Sequence, residues 1–200
     1  MIVVGLTGGI ASGKTTISIF LKKKRFSVHD SDFVVKKIYS NPTSGFLKYL
    51  KSINLSNSIR GKKINKNIIR EEIFCKQEKR RKLEKFIHNE VRKYRNQFLN
   101  EHKRKKTKIV FLDIPLLFEA KLQNICDYVI LLCLPRKNKI QRALVRKGMT
   151  KDMLLRIIKS QKSDAYKKRK ADFIINTSKP KNHSFKMILK AIDNIMDQNA

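Results

Sequence analysis

Short apolar runs alternate with longer amphipathic stretches along almost the whole chain. Five runs have the length and composition of buried strands, at about residues 2–6, 26–30, 108–113, 128–134 and 171–176. Between them, apolar residues recur at three- and four-residue steps, the spacing of helices that bury one face. Strands that alternate with helices predict an α/β fold in which a five-stranded parallel sheet is covered by helices on both faces.

The helical spacing also predicts where individual helices lie. The chain should form helices at about residues 16–21, 33–39, 46–50, 66–105, 136–147, 150–170 and 185–196. Thr150 is a plausible N-cap because Asp152 follows it in the first turn. Residues 51–65 are polar and poorly patterned, so we expect them to be the most mobile stretch.

The first strand leads into a glycine-rich loop with a recognisable phosphate-binding pattern. Residues 8–15 read Gly-Gly-Ile-Ala-Ser-Gly-Lys-Thr, which matches Gly-x-x-x-x-Gly-Lys-Thr between a strand and a helix. Gly8 and Gly13 are needed where a Cβ would collide or where φ must be positive. The following helix N-terminus favours anions, Lys14 can reach the β- and γ-phosphates, and Thr15 can join a Mg²⁺ shell. The loop therefore predicts a nucleotide site, with an accidental glycine-rich turn as the alternative.

Carboxylates stand where two other strands end. Asp30 and Asp32 follow the second strand, and Asp113 ends the third. Ligands of open α/β sheets bind at the carboxyl ends of the strands. One carboxylate could hold a Mg²⁺ shell through water while another orients an acceptor hydroxyl and takes its proton. The structural alternatives are that Asp32 is an N-cap and that Asp113 belongs to a turn set by Pro115.

Three arginines indicate a lid. Arg142 and Arg146 are four residues apart on a predicted helix, Arg156 follows on the next, and Gly148 between them can act as a hinge. A mobile, arginine-bearing segment is what a kinase needs to exclude water and to neutralise transferred charge. A solvated basic face is the alternative.

The charge balance is strongly basic. The 200 residues contain 47 lysines and arginines but only 16 acidic residues, which gives a formal net charge of +31. A nucleic-acid surface would explain this, but the basic runs are dispersed near predicted helix ends, where cations complement the helix dipole. We therefore expect a lysine-rich composition with anionic small-molecule substrates, and no nucleic-acid partner.

The remaining composition narrows the class and the compartment. No apolar stretch reaches membrane-spanning length and no secretory signal is predicted. Cys75, Cys126 and Cys133 have no metal-type spacing, so we expect a reduced, cytoplasmic protein. A small GTPase is disfavoured because neither Asn-Lys-x-Asp nor Asp-x-x-Gly occurs. The length suits a small kinase.

Several further motifs, in order, resemble the dephospho-CoA kinase family. The chain shares that family's opening over residues 5–16 and its Asp-x-Asp at residues 30–32. Its Pro-Leu-Leu-Phe-Glu follows at residues 115–119, and Gln141-Arg142 through Gln161 resembles its lid. Segments around Arg70 and His88 are similar to its substrate-side helices, although Asn89 stands where the family usually has proline. The resemblance covers roughly residues 3–177.

The resemblance implies a three-layer P-loop kinase fold that transfers the ATP γ-phosphate to the ribose 3′-hydroxyl of dephospho-CoA. It implies a single domain over residues 1–200, with a helical acceptor-binding insert at about 60–105 and a lid at about 140–165. The residues implied to be catalytic are Asp32, Lys14 and Arg142. Those implied to bind ATP are Gly8, Ala11, Ser12, Gly13, Lys14, Thr15, Thr16, Arg142 and Arg146.

The same resemblance implies the acceptor and metal sites. Dephospho-CoA would be bound by Asp32, Arg70, His88 and Leu116. Mg²⁺ would be held by Thr15 and Asp113, directly or through water. Two other functions remain open: a nucleoside or nucleotide kinase with another acceptor, and a basic nucleic-acid-binding protein whose loop is vestigial. Intact Lys14, Thr15, Asp32 and Asp113 argue against the second. The sequence leaves the oligomeric state open.

Overall fold

The structure is a computed structural model that describes residues 1–74 and 76–199. Cys75 therefore lies outside the described residues. The strands, in chain order, are β1 (Ile2–Gly8), β2 (Ser27–Asp30), β3 (Ile59–Arg60), β4 (Lys63–Ile64), β5 (Ile109–Asp113), β6 (Tyr128–Cys133) and β7 (Phe173–Asn176). The helices are α1 (Lys14–Lys23), α2 (Ser31–Ser40), α3 (Ser44–Ser52), α4 (Lys66–Phe74), α5 (Gln77–Arg104), α6 (Arg136–Leu144), α7 (Lys151–Ser160), α8 (Asp164–Lys170) and α9 (Lys181–Asp197).

The chain divides into two compact units. The first unit comprises residues 1–30 and the described residues from 102 onwards, and the second comprises residues 31–101. The second unit thus includes α2 and α3 in addition to most of the segment at about 60–105. Binding of the acceptor by that segment stays a prediction.

The first unit is built on a five-stranded parallel sheet, which confirms the predicted fold class. Its strand order is β2-β5-β1-β6-β7, and every neighbouring pair is parallel. In the register, Asp113 lies opposite Leu6 on one side and Asp30 on the other. The carboxyl ends of the three strands therefore meet at one edge, directly beside the loop that follows β1.

Helices α1 and α9 pack against the sheet and form the main core with it. Thirteen buried apolar residues form this core, among them Val4, Leu6 and Phe111 of the strands and Ile188 of α9. Phe20 of α1 and Phe185 of α9 stack with ring centroids 4.1 Å apart. The central strands read as continuous apolar runs because both of their faces are buried.

The second unit has its own smaller core. Val34, Phe46, Leu50, Ile69 and Leu83 are among its buried residues, which come from α2 to α5. Aromatic rings add specific geometry: Phe86 stacks against both Phe46 and Tyr49, with ring centroids 5.1 and 4.3 Å apart.

The segment at 51–65 contains a short 3-10 helix at Ser56–Ser58 and the antiparallel hairpin of β3 and β4, turned at Gly61 with φ +59°, and the mobility expected for it stays a prediction. Two-residue strands are too short to show an alternating pattern. The single helix predicted at about 150–170 is two helices, because Ser163 caps a new helix by accepting a hydrogen bond from the N–H of Tyr166.

Other element boundaries agree with the sequence or shift by a few residues. Thr150 is the N-cap of α7 and accepts a hydrogen bond from the N–H of Met153, as predicted. The last helix begins at Lys181 after Pro180, four residues earlier than predicted. Among the described residues, none of the helices is both long and apolar enough to span a membrane.

Candidate active site

The loop between β1 and α1 is shaped by two glycines. Gly8, the last residue of β1, pairs with Leu132 of β6 so closely that an added Cβ would lie 2.6 Å from the Leu132 carbonyl oxygen. Gly13 precedes α1 with φ +80°, which a residue with a side chain rarely adopts. As the sequence predicted, a Cβ would collide at Gly8, and Gly13 has a positive φ.

The interior of the loop combines a tight backbone turn with a buried hydroxyl. Ala11 adopts φ +60°, and the N–H of Ser12 donates to the Gly9 carbonyl over 3.2 Å. The Ser12 hydroxyl is buried and, within the part of the chain that the structure describes, has no hydrogen-bond partner. Thr15 is exposed and Thr16 partly buried in the first turn of α1. Such a cradle of backbone at a helix N-terminus suits a phosphate group.

Lys14 and Asp113 form the charged pair of the site. The Lys14 ammonium donates to Asp113 Oδ1 over 2.5 Å, and the two side chains are 12% and 2% exposed. β1 and β5 are neighbours in the sheet, which brings the loop lysine to the end of β5. A turn does begin at Pro115, two residues after Asp113, so the turn alternative stays open beside the contact of the carboxylate with the loop lysine.

Burial dominates the electrostatics of Asp113. It raises the pKa of this carboxyl above its ordinary value, while the Lys14 charge and hydrogen bonds from Lys14 and Ser18 act in the opposite direction. The neighbouring Asp30 also raises the pKa of Asp113. Two carboxylates at one strand edge thus need positive charge beside them.

Thr177 connects the loop to Arg142. Its single hydroxyl proton is shared between the Ser12 carbonyl at 2.9 Å and the Cys133 carbonyl at 3.2 Å. Its own carbonyl accepts a hydrogen bond of 2.8 Å from the Arg142 guanidinium. Thr177 follows β7 directly, so it occupies the same sheet edge as the loop. Sequence reasoning missed it, although a polar residue directly after the last strand is the signal that found the aspartates.

A second lysine lies against the loop. Lys139 of α6 is buried, and its ammonium pairs with Asp164 of α8 at 2.6 Å. A Cβ added at Gly9 would lie 3.6 Å from that ammonium and 3.3 Å from the Gln161 amide oxygen. Helix α6 and the junction before α8 therefore lie beside the loop, and neither Lys139 nor Asp164 was singled out from the sequence.

The other candidates do not all fall in this cluster. Arg146 is exposed just after α6, and Leu116 is 46% exposed after β5. Asp32, Arg70 and His88 lie in the second unit, exposed on α2, α4 and α5 respectively. Asp32 is in the first turn of α2, one residue inside its start, so the N-cap alternative for Asp32 is wrong. The Asn89 departure falls in the interior of α5 and leaves the helix continuous.

The residues present fit a nucleotide with a magnesium ion. Gly8 lets the loop close where a Cβ would collide with Ser12 and Leu132, Ser12 offers a buried hydroxyl, and Thr15 and Asp113 offer oxygen ligands. Magnesium is usually held by one or two carboxylates together with substrate phosphates, rather than by a protein cage. Among residues 1–74 and 76–199, no three or more His, Cys, Asp or Glu side chains are grouped so that they could hold a metal ion.

Comparison with known proteins identifies what this arrangement is similar to. The family model "CoaE: Dephospho-CoA kinase" matches residues 2–182. A protein from Bartonella henselae named dephospho-CoA kinase is 32% identical over 197 residues, covering 98% of this chain and 99% of its own.

Solved structures agree with the sequence comparison. A dephospho-CoA kinase from Campylobacter jejuni superposes with a TM-score of 0.74 at 26% identity, covering 99% of this chain and 98% of its own. A protein from Thermus thermophilus gives a TM-score of 0.78 at 25% identity over 96% of this chain and 95% of its own.

Proposed function

Because the chain belongs to the dephospho-CoA kinase family, whose reaction is the ATP-dependent phosphorylation of dephospho-CoA in coenzyme A synthesis, we propose a residue-level account of that reaction here. The γ-phosphoryl group of ATP passes to the ribose 3′-hydroxyl of dephospho-CoA. The observation that carries the account is the buried Lys14–Asp113 pair at the loop edge of the sheet.

The loop holds the ATP phosphates. Backbone N–H groups of the segment from Gly8 to Thr16 and the N-terminus of α1 surround the β- and γ-phosphates, and Lys14 contributes a point charge. Positioning and charge stabilisation account for most of the catalysis, since phosphoryl transfer needs little covalent help from the protein. Lys14 exchanges part of its contact with Asp113 for the phosphates.

Thr15 and Asp113 hold Mg²⁺, directly or through water. When bound, the ion neutralises charge on the β- and γ-phosphate oxygens. Lys14 beside Asp113 favours the charged form of this carboxylate and so opposes the burial that raises its pKa, which supports Asp113 as an oxygen ligand.

Asp32 orients the acceptor hydroxyl and accepts its proton late in the transfer. An alcohol has a high pKa, so a carboxylate at hydrogen-bond distance helps mainly by positioning. The support is that Asp32 is exposed in the first turn of α2, where its side chain is accessible to a ligand. Arg70, His88 and Leu116, all exposed, contact the remainder of dephospho-CoA.

Arg142 and Arg146 neutralise the transferred charge and exclude water. The support for Arg142 is its guanidinium contact with Thr177, which is bonded to the loop. The reaction consumes ATP, and Cys133 is a free thiol, which together support a cytoplasmic location.

A coupled assay of ADP release tests the proposal. Dephospho-CoA, nucleosides and nucleoside monophosphates are compared as acceptors, and phosphorus NMR locates the new phosphate. We expect a rate only with dephospho-CoA and a product phosphorylated at the 3′ position. Lys14→Met should abolish the rate, whereas Lys23→Met, an exposed lysine at the other end of α1, should retain it. No rate with dephospho-CoA above background ATP hydrolysis would overturn the proposal.

A further inference from the structure

Glu119, the last residue of the segment from Pro115 to Glu119, has no part in the chemistry described above, yet its side chain is tightly held. The Glu119 side chain is 16% exposed. Its Oε1 atom lies 2.9 Å from the Lys167 ammonium and accepts a hydrogen bond of 2.8 Å from the backbone N–H of Lys162. One carboxylate oxygen thus binds two donors from a different part of the chain.

Both donors flank the break between α7 and α8. Lys162 lies in the three-residue junction, and Lys167 lies one turn into α8. Lys167 is 1% exposed and is one of the largest fully buried side chains of the protein. A buried ammonium requires a counter-charge, and removing one partner of such a pair is strongly destabilising. The Glu119 carboxylate is the counter-charge that the structure provides.

The junction in turn contacts the phosphate-binding loop. Gln161 begins it in an extended conformation, and its amide oxygen lies against Gly9. Asp164, directly after the junction, pairs with Lys139, whose ammonium lies against the same glycine. The junction therefore brings the Gln161 amide to the loop, and Asp164 beyond it pairs with the lysine on the other side of the contact. Glu119 is bonded to the junction backbone between Gln161 and Asp164.

We propose that Glu119 is a positioning residue for the reaction: with Lys167 it anchors the α7–α8 junction, and this anchor holds the Gln161 amide against Gly9 of the phosphate-binding loop. Gln161 then restrains the loop in the conformation that receives ATP. The proposal rests on the proposed function for its link to catalysis, but its link to ATP binding stands independently.

The electrostatics agree with an anchor. Burial by itself raises the pKa of Glu119, but the hydrogen bonds from Lys167, from the Lys162 N–H and from its own backbone outweigh burial and hold the pKa below its ordinary value. Glu119 is therefore ionised at neutral pH, as the buried ammonium requires.

The experiment compares Glu119→Ala, Glu119→Gln and Gln161→Ala by ATP affinity, kinetics and thermal unfolding. Asp172→Ala is the matched control, because Asp172 also accepts a backbone N–H hydrogen bond, from Val129 over 2.7 Å, at the opposite ends of the strands. Affinity is measured by titration with ATP well below the unfolding temperature of each variant. We expect Glu119→Ala to weaken ATP binding by about tenfold, the loss of one hydrogen bond to a charged group.

Gln161→Ala should reproduce this loss without lowering the unfolding temperature, and the double variant Glu119→Ala with Gln161→Ala should be no weaker than either single variant. Glu119→Gln should recover part of the affinity, because its amide oxygen can still accept from Lys162. In Asp172→Ala, ATP affinity should be unchanged even if stability falls. In all of them the KM for dephospho-CoA should stay within about twofold.

Three results would overturn the anchor: unchanged ATP affinity in Glu119→Ala, losses that add in the double variant, or a loss in Asp172→Ala as large as in Glu119→Ala. None of these depends on the acceptor. A wild-type protein that binds ATP but does not phosphorylate dephospho-CoA would instead overturn the proposed function and leave the ATP-binding test intact.

Discussion

At the scale of single residues, the site depends on side chains whose charges compensate one another. Asp113 is buried and has a raised pKa, and Lys14 lies 2.5 Å from it. Thr177 contributes uncharged groups instead. Its hydroxyl donates to the loop, and its carbonyl accepts a hydrogen bond from Arg142. Asp32 belongs to the second unit, whereas Asp113 and Thr177 belong to the first, and the role of Asp32 is a prediction.

Asp32→Asn is expected to lower kcat by about 10²–10⁴, the range for loss of general acid–base help, while ATP affinity stays the same. The reason is that the carboxylate acts on the acceptor. Steady-state kinetics with dephospho-CoA and an ATP titration measure the two effects.

Asp152→Asn provides the comparison for stability, because Asp152 is also an exposed first-turn carboxylate, on α7. Both substitutions should reduce stability by no more than about 1 kcal/mol through the helix dipole. Unchanged kcat in Asp32→Asn would show that Asp32 serves only that dipole.

Thr177→Val should weaken ATP binding by about tenfold and lower stability by about 1–3 kcal/mol. Valine keeps the shape but leaves the buried Ser12 carbonyl without the hydroxyl that bonds it. Thr177→Ser keeps the hydroxyl and should bind ATP almost as wild type does. Isothermal titration with ATP separates the two variants, and equal affinities for valine and serine would refute the role of the hydroxyl.

At the scale of elements, N-caps determine where α7 and α8 begin, and the apolar periodicity of the sequence does not show this division. Residues 151–170 have the charged, helix-compatible composition of one helix, but Ser163 starts a second helix and leaves a junction at 161–163. That junction carries the backbone N–H that Glu119 binds. A continuous helix would have used this N–H internally and could not have been anchored in this way.

Glu119→Gln tests the element through pH. The folded state lowers the pKa of Glu119, so the ionised form stabilises the protein above the unfolded pKa, about 4.3, and this stability is lost as pH falls through the folded pKa. Thermal unfolding should therefore show wild type more stable than Glu119→Gln at neutral pH. The difference should shrink below about pH 4.3, and a difference independent of pH would contradict the ionised pair.

At the scale of the whole molecule, the excess of positive charge is much larger than the site needs. A net charge of +31 is spread over many exposed lysines and arginines of both units. Such a charge attracts polyanions without sequence preference and in a strongly salt-dependent way. We attribute it to composition, with the anionic substrates as the specific partners.

Binding to a short single-stranded RNA is therefore expected to be weak and salt-sensitive. At about 150 mM salt, Kd should be no tighter than about 10⁻⁶ M, and affinity should fall steeply between about 50 and 200 mM. Fluorescence anisotropy measures both. Lys14→Ala, which disables the loop, should leave RNA binding unchanged, and tight binding at 150 mM salt would instead establish a nucleic-acid interface.

The sequence by itself determined the fold class and the nucleotide half of the site. Five apolar runs separated by helical spacing are sufficient for a parallel sheet, and the loop pattern is local, so Gly8, Gly13 and Lys14 are readable without contacts. Asp113 was predicted because strand ends share an edge in any parallel sheet.

Only the tertiary structure decided how distant segments join at that edge. Thr177 contacts Ser12 across 165 positions, and Lys162 contacts Glu119 across 43. A serine, threonine or lysine outside a motif shows no periodicity or spacing that indicates such a partner. Its role follows from which strands become neighbours and which groups burial leaves to be satisfied, and packing of the whole chain determines both.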